Sequence, residues 1–125
     1  MVAAAAVPPP SPPAIVRRWS RALNHNDNTA AGALFAAGAR VIQPGVDVPV
    51  SRRLAVAFNA SLPCGGKILK LTRSGDRVTA TFTLTERPRH RCDAPGTKAA
   101  AVFTVRHGKI VRWEQVPVPA DAPTA

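Results

Sequence analysis

The spacing of apolar residues changes period once along the chain. Ile15, Trp19, Ala22 and Leu23 recur at helical spacing, with Arg17, Arg18 and Arg21 on the opposite face. Ser11 is placed to cap this helix, and proline is tolerated in a first turn, so the helix is expected to start near Pro13. Asn24-His25-Asn26-Asp27-Asn28 stops it, because such side chains compete for backbone hydrogen bonds. Asp27 or Asn28 then caps a second helix, whose apolar stripe is Ala30, Ala31, Leu34 and Phe35 and which Gly38 is expected to close. Arg40 to Gln43 reads as a short strand stopped by Pro44-Gly45. Val50 to Ser61 reads as a third helix with Leu54, Ala57, Phe58 and Leu62 inward.

After Gly66 the period becomes two. Val78, Ala80, Phe82 and Leu84 alternate with Thr79, Thr81, Thr83 and Thr85, the signature of a half-buried antiparallel strand. A tight turn at Ser74-Gly75 pairs it with Lys67–Arg73, with Leu71 opposite Val78 and Leu69 opposite Ala80. A second hairpin joins Lys98–Val105 to Lys109–Val116. A three-residue turn, Arg106-His107-Gly108, sets Ala101 opposite Trp113 and Ala99 opposite Gln115. Trp113, Gln115 and Phe103 then share one face. The order is helix, helix, short strand, helix and four long strands. It predicts an α+β domain, with three helices over one face of a strongly bent antiparallel sheet.

A length of 125 residues allows one domain and one core. The domain is expected over 13–117, between a disordered Pro-rich N-terminal segment, 1–12, and a disordered polar tail, 118–125. The longest apolar run, Val2 to Val7, is too short to span a bilayer. It also lacks the basic flank of a signal peptide. Two origins stay open: an exported chain whose signal has been removed, or a cytosolic protein with an extended tail.

Charge and cysteines change the picture modestly. Lys and Arg number 17 against 7 Asp and Glu, a net charge of +10 that favours anionic partners. The basic residues are spread over every element. The one dense stretch, Arg87 to Arg91, has no interleaved aromatics, which argues against specific nucleic-acid binding. Cys64 and Cys92 both lie in Pro/Gly-rich loops, Leu62-Pro63-Cys64-Gly65-Gly66 and Arg91-Cys92-Asp93-Ala94-Pro95-Gly96. That placement favours a disulfide and an oxidising compartment over two buried free thiols.

Three stretches resemble the NTF2-like superfamily, which includes SnoaL-like cyclases and ketosteroid isomerases. They are Arg18-Trp19-Ser20-Arg21-Ala22-Leu23-Asn24-His25-Asn26-Asp27; Ala33-Leu34-Phe35-Ala36-Ala37-Gly38-Ala39-Arg40-Val41; and Val102 to Trp113, with its closing Gly108-Lys109-Ile110 and Trp113. The resemblance covers about Pro13 to Pro117, and the cysteine loops suggest a subgroup with its own bridge. It implies a cone-shaped roll, with a pocket walled by Trp19, Phe35, Gln43, Phe58, Phe82, Leu84, Ala101, Phe103, Trp113 and Gln115. A filled core remains the alternative for the phenylalanines.

The isomerases use a Tyr, an Asp base and a protonated Asp, one group to move the proton and two donors to hold the dienolate oxygen. The matching positions here are Trp19, Gln43 and Ala101, and the chain has no Tyr. Gln43 cannot take up a proton and Ala101 offers no donor, so this apparatus is missing. Asp47, expected in a loop near the pocket mouth, and Gln43, as a holder of water, are the remaining catalytic candidates. No metal-ligand spacing, Gly-rich phosphate loop or nucleophile elbow is present, so no cofactor or metal is expected. The expected role is to bind a small apolar or anionic molecule. The alternatives are an isomerase-type enzyme with non-standard residues, and a homodimeric interaction module joined through the threonine face of the sheet.

Overall fold

The computed structural model describes residues 8–120. The outer ends of the Pro-rich segment and of the tail lie outside the described residues. The chain runs α1 (Pro12–Asn24), α2 (Asn28–Ala33), β1 (Phe35–Gln43), β2 (Val46–Val50), α3 (Arg52–Ser61), β3 (Gly65–Ser74), β4 (Arg77–Thr85), β5 (Lys98–Arg106) and β6 (Lys109–Val116). One six-stranded sheet has the order β2-β1-β6-β5-β4-β3. All neighbours are antiparallel except β1 and β6, which run parallel. The result is the expected α+β roll of three helices and a curved sheet. Among the described residues no helix is long and apolar enough to cross a membrane.

Local chemistry starts each helix as its sequence suggests. The Ser11 side chain accepts the Ala14 N–H at 3.3 Å, the Asp27 carboxylate accepts that of Ala30 at 3.0 Å, and Ser51 accepts that of Leu54 at 3.2 Å. The second helix is shorter than its composition implies. Leu34 ends it, and Phe35 already belongs to β1. Gly38 closes no helix. It takes φ +81° inside β1, where the register against β6 shifts between Phe35 and Arg40. A left-handed residue at a β-bulge is a position glycine fills readily.

Pro44-Gly45 is a hairpin turn rather than a strand end, and β2 pairs back on β1 from Gln43↔Val46 to Ala39↔Val50. The third helix turns a different face inward. Ala55 and Asn59 are buried, whereas Leu54 is 52% exposed and Ala57 is also exposed. Phe58 and Leu62 do pack against the core.

Both later hairpins form with registers displaced from the expected ones. The first turns at Gly75-Asp76, so Leu71 faces Ala80 and Ser74 faces Arg77, with a bulge at Leu69. The displacement is two residues, which leaves the apolar faces matched. The second turns on two residues, His107 (φ 51°) and Gly108 (φ 73°), with Arg106 opposite Lys109. Paired positive φ values are typical of tight hairpin turns. A bulge at Val111 restores the phase, so Trp113 faces Phe103 and Gln115 faces Ala101.

The core lies between the helices and the concave face of the sheet. Ile15, Val16, Trp19 and Leu23 of α1 meet Val78, Ala80, Phe82, Ala101, Phe103 and Trp113. Every aromatic residue belongs to one string of ring contacts. It runs Phe35–Phe58 at 6.1 Å, Phe58–Trp113 at 5.0 Å, Trp113–Phe103 at 6.3 Å, Phe103–Trp19 at 5.2 Å and Trp19–Phe82 at 6.0 Å. The geometries are edge-on, which the ring quadrupole favours.

Candidate functional site

Alternation on β4, β5 and β6 points Phe82, Ala101, Trp113 and Gln115 toward α1. On that side the space is not filled. A cavity of about 320 Å³ opens between α1, the segment after α3, and the strands β4, β5 and β6. The residues that leave it empty are small. Ala99, Ala100 and Ala101 of β5 form one wall, and Gly65 and Gly66 of β3 another.

The glycines have a local reason. A Cβ on Gly66 would lie 3.2–3.3 Å from Phe82, and one on Gly65 would sit 2.6 Å from Asn24 Oδ1. The Asn24 side chain donates to Gly66 O at 2.9 Å and accepts from Gly66 N at 2.9 Å. It acts as a short stretch of partner strand that joins the end of α1 to β3.

Trp19, Gln43, Phe82, Leu84, Ala101, Trp113 and Gln115 line the cavity. Phe35, Phe58 and Phe103 do not. They lie in the core, Phe103 at 0% and Phe35 at 3% exposure, as the filled-core alternative for these rings allowed. Asp47 is also away from the cavity. It sits on the edge strand β2, where its carboxylate accepts from Arg40 Nη2 at 2.7 Å and Nε at 3.0 Å. The strand forms because Val46 and Val48 continue the pairing that a loop reading interrupted.

The polar groups of the wall differ in their freedom. Trp19 Nε1 donates to Asn59 Oδ1 at 2.7 Å, and Asn59, fully buried, donates onward to Ala55 O at 2.7 Å. The only donor on Trp19 is thus spent within the protein, and the cavity meets its ring. Trp113 Nε1 is buried with no partner among the described residues. Buried indole N–H groups usually have an acceptor. Gln43 is half-buried and Gln115 exposed, which puts both amides toward the open end.

The far rim is built by the loop between β4 and β5. Cys64 and Cys92 are joined in a disulfide, with Cα atoms 4.5 Å apart. Arg87, 2% exposed, turns inward and donates from Nη1 to Asn59 O at 2.7 Å and Leu62 O at 2.6 Å, and from Nη2 to Asn28 Oδ1. Burial lowers the pKa of this guanidinium below its ordinary value. The offset comes from carbonyls at the negative C-terminal end of α3, where a cation is favoured. A ring nitrogen of His90 lies 2.9 Å from Ala60 O and extends the same cap. The dense basic stretch thus holds α3 in place, with Arg89 and Arg91 exposed.

Asp93 follows the disulfide and lines the cavity, with its Oδ1 3.6 Å from Cys64 Sγ. Cys64, Cys92 and Asp93 are close enough together to ligate a metal. Both sulfurs are committed to each other, so the group cannot act as a thiolate site. Sequence patterning pointed neither to Asp93 nor, apart from Ala101, to the small residues of the wall. The run Ala99-Ala100-Ala101 on a central strand was the available signal for an unfilled space.

Residues 16–113 match the SnoaL-like domain family. The chain belongs to that family. Solved structures agree on the fold. A candidate polyketide cyclase from Sinorhizobium meliloti is 25% identical with TM-score 0.66, covering 83% of this chain and 94% of its own. An NTF2-like protein of unknown function from Cytophaga hutchinsonii has TM-score 0.70 at 12% identity, covering 85% and 88%. A candidate ketosteroid isomerase from Kribbella flavida has TM-score 0.67 at 18% identity, covering 91% and 83%. Comparison with curated proteins gives no match. In this SnoaL-like domain Trp19, Gln43 and Ala101 all line the cavity. None of them combines an acid or base with a free donor.

Proposed function

We propose that this SnoaL-like domain binds a small, largely apolar molecule in its cavity and does not transform it by the acid–base route of the isomerases. The observation that carries this reading is the cavity itself. Its volume of about 320 Å³ lies at the small end of the range for ligand sites. Its wall is aromatic and aliphatic, with two amides and one carboxylate toward the rim, the usual composition of a pocket that orients a ligand. An open space that a few larger side chains would fill is costly in a core, so retaining it favours a use.

The test is to fill it. Ala99 is only half-buried and lines the cavity, so Ala99→Phe places a ring in the space with modest strain. Cyclohexylmethanol should bind the wild type, seen by tryptophan fluorescence and native mass spectrometry, and not the variant. Equal binding to both would reject the reading.

The disulfide supports an extracytoplasmic location, because such bridges persist in oxidising compartments. Dimerisation through the sheet is favoured by one feature. The helices pack on the concave face, and on the other face Thr83 Oγ1 is buried without a partner. Light scattering at high concentration should then show a dimer that Thr79→Lys, at a half-buried position on that face, disrupts; a monomer throughout would remove the idea.

A further inference from the structure

The charge of the cavity is opposite to the charge of the chain. The protein carries 17 Lys and Arg. Among the described residues no Lys, Arg or His lines the cavity, and the one charged side chain that does is Asp93. Its carboxylate is also unusual among the acids. Asp27 caps α2, and Glu86 accepts the Cys92 N–H at 3.2 Å. Asp47, Asp76 and Glu114 pair with Arg40, Arg106 and Arg112. Among the described acids, Asp93 alone has neither a cation nor an N–H donor, in a chain with an excess of both.

We infer that the cavity takes a small organic cation, an ammonium with an apolar body, with Asp93 as its counter-charge. This rests on the ligand-binding reading above and names its ligand class. The two tryptophan rings and Phe82 in the wall suit the same chemistry, since an ammonium is attracted to an aromatic face and its hydrocarbon part packs there equally well. Gln43 and Gln115 at the open end offer amide oxygens to ammonium hydrogens. An anionic ligand would meet an unpaired carboxylate and find no cation in the wall. The remaining basic surface acts at longer range and is screened over about 8 Å at physiological ionic strength. The contact between Asp93 and the ligand therefore decides the sign.

The experiment uses three probes of one shape: cyclohexylmethylamine, cyclohexylmethanol and cyclohexanecarboxylate. Each is titrated at pH 7 and physiological salt into the full chain with its disulfide intact, followed by protein-observed NMR. The amine should bind on the order of tenfold more tightly than the carboxylate, the scale expected when an exposed carboxylate at the rim attracts one probe and repels the other. Asp93→Asn should bring the two within about threefold, with the alcohol unchanged. A carboxylate that binds as well as the amine, or an amine preference that survives Asp93→Asn, overturns the inference while leaving the cavity reading intact. Failure of all three probes to shift cavity residues overturns both. The variant keeps the bridge and loop, and a native-like spectrum with no titratable thiol shows that it has folded.

Discussion

Removing the disulfide should cost this domain a large part of its stability. The bridge joins residues separated by 28 positions and closes β3, β4 and the loop after β4 into one ring. In the chain-entropy account, a loop of that size removes about 12 cal/mol/K from the unfolded state, or about 3.6 kcal/mol at 25 °C. Both cysteines are buried, Cys64 at 8% and Cys92 at 4%, so Cys64→Ala with Cys92→Ala removes two sulfurs and adds a small cavity term to the same sign. Residual compactness of the unfolded chain works the other way. The double variant is thus expected to lose about 3–4 kcal/mol in guanidinium unfolding. Its m-value should rise, because the unlinked chain exposes more surface. The loop would still be held by Arg87 and His90 on the α3 carbonyls, so the native spectrum should persist at low denaturant. A loss below about 1 kcal/mol with an unchanged m-value would refute this reasoning. It would mean that the cap on α3 alone fixes the loop. Two titratable thiols in the unreduced protein would refute the bridge itself.

Arg87→Met should destabilise by about 3 kcal/mol in the same assay, because Asn59 O and Leu62 O lose their donor inside the protein. Arg87→Lys should recover only part of that, since it keeps the charge and loses the planar fork. Asn59→Leu should cost roughly 2 kcal/mol and shift tryptophan emission, as the Trp19 N–H is left buried without its acceptor. Gly32→Ala should loosen the contact between α2 and α3 at a cost of about 1–3 kcal/mol, seen as a lower melting temperature, because its Cβ would fall 2.6 Å from Val56 Cγ2 and 2.9 Å from Val56 N. The hydrogen bond and charge of Arg106 hold the Asp76 carboxyl below its ordinary 3.8. Its depressed native pKa gives a contribution that is present above that value and lost as pH falls through the native one. Wild type and Asp76→Asn should therefore differ in stability at neutral pH and converge in strong acid.

How much of this was legible beforehand depended on which force set each element. Where one face of a strand is buried, the period-two pattern is decisive, and Val78 to Thr85 forms β4 as its alternation requires. Register was less visible. A bulge adds one residue without disturbing alternation on either side, so Leu69 and Val111 leave no mark in the pattern. The edge strand β2 was hidden for a related reason. Val46 and Val48 stay exposed at 44% and 43%, and Pro49 is tolerated because an edge strand has a partner on one side only. Phe35 to Gly38 read as helix because alanine favours helices and glycine ends them, but β6 captures this segment as a strand. In α3 the inward face carries Asn59, a polar residue that a hydrophobic pattern assigns to solvent.

The site was legible to the extent that it lies on regular strands. Phe82, Ala101, Trp113 and Gln115 face the cavity because alternation survived each register error. Leu84 and Gln43, near strand ends, line it as well. Asp93 could not be read in advance. Its position depends on a loop folded back by a bridge and by the buried Arg87, neither of which has a periodic signal.

The claim that the domain binds a ligand in its cavity is tested most directly by the two indole N–H signals. The chain has two tryptophans, and they differ. The Trp19 N–H is bonded to Asn59, whereas that of Trp113 has no partner among the described residues. Titration of the ¹⁵N-labelled protein with neutral cyclohexylmethanol should move the Trp113 signal saturably and the Trp19 signal much less, and Ala99→Phe should abolish both changes. Two signals that stay fixed in the wild type up to the solubility limit of the probe, or that move equally in the filled variant, would contradict the account.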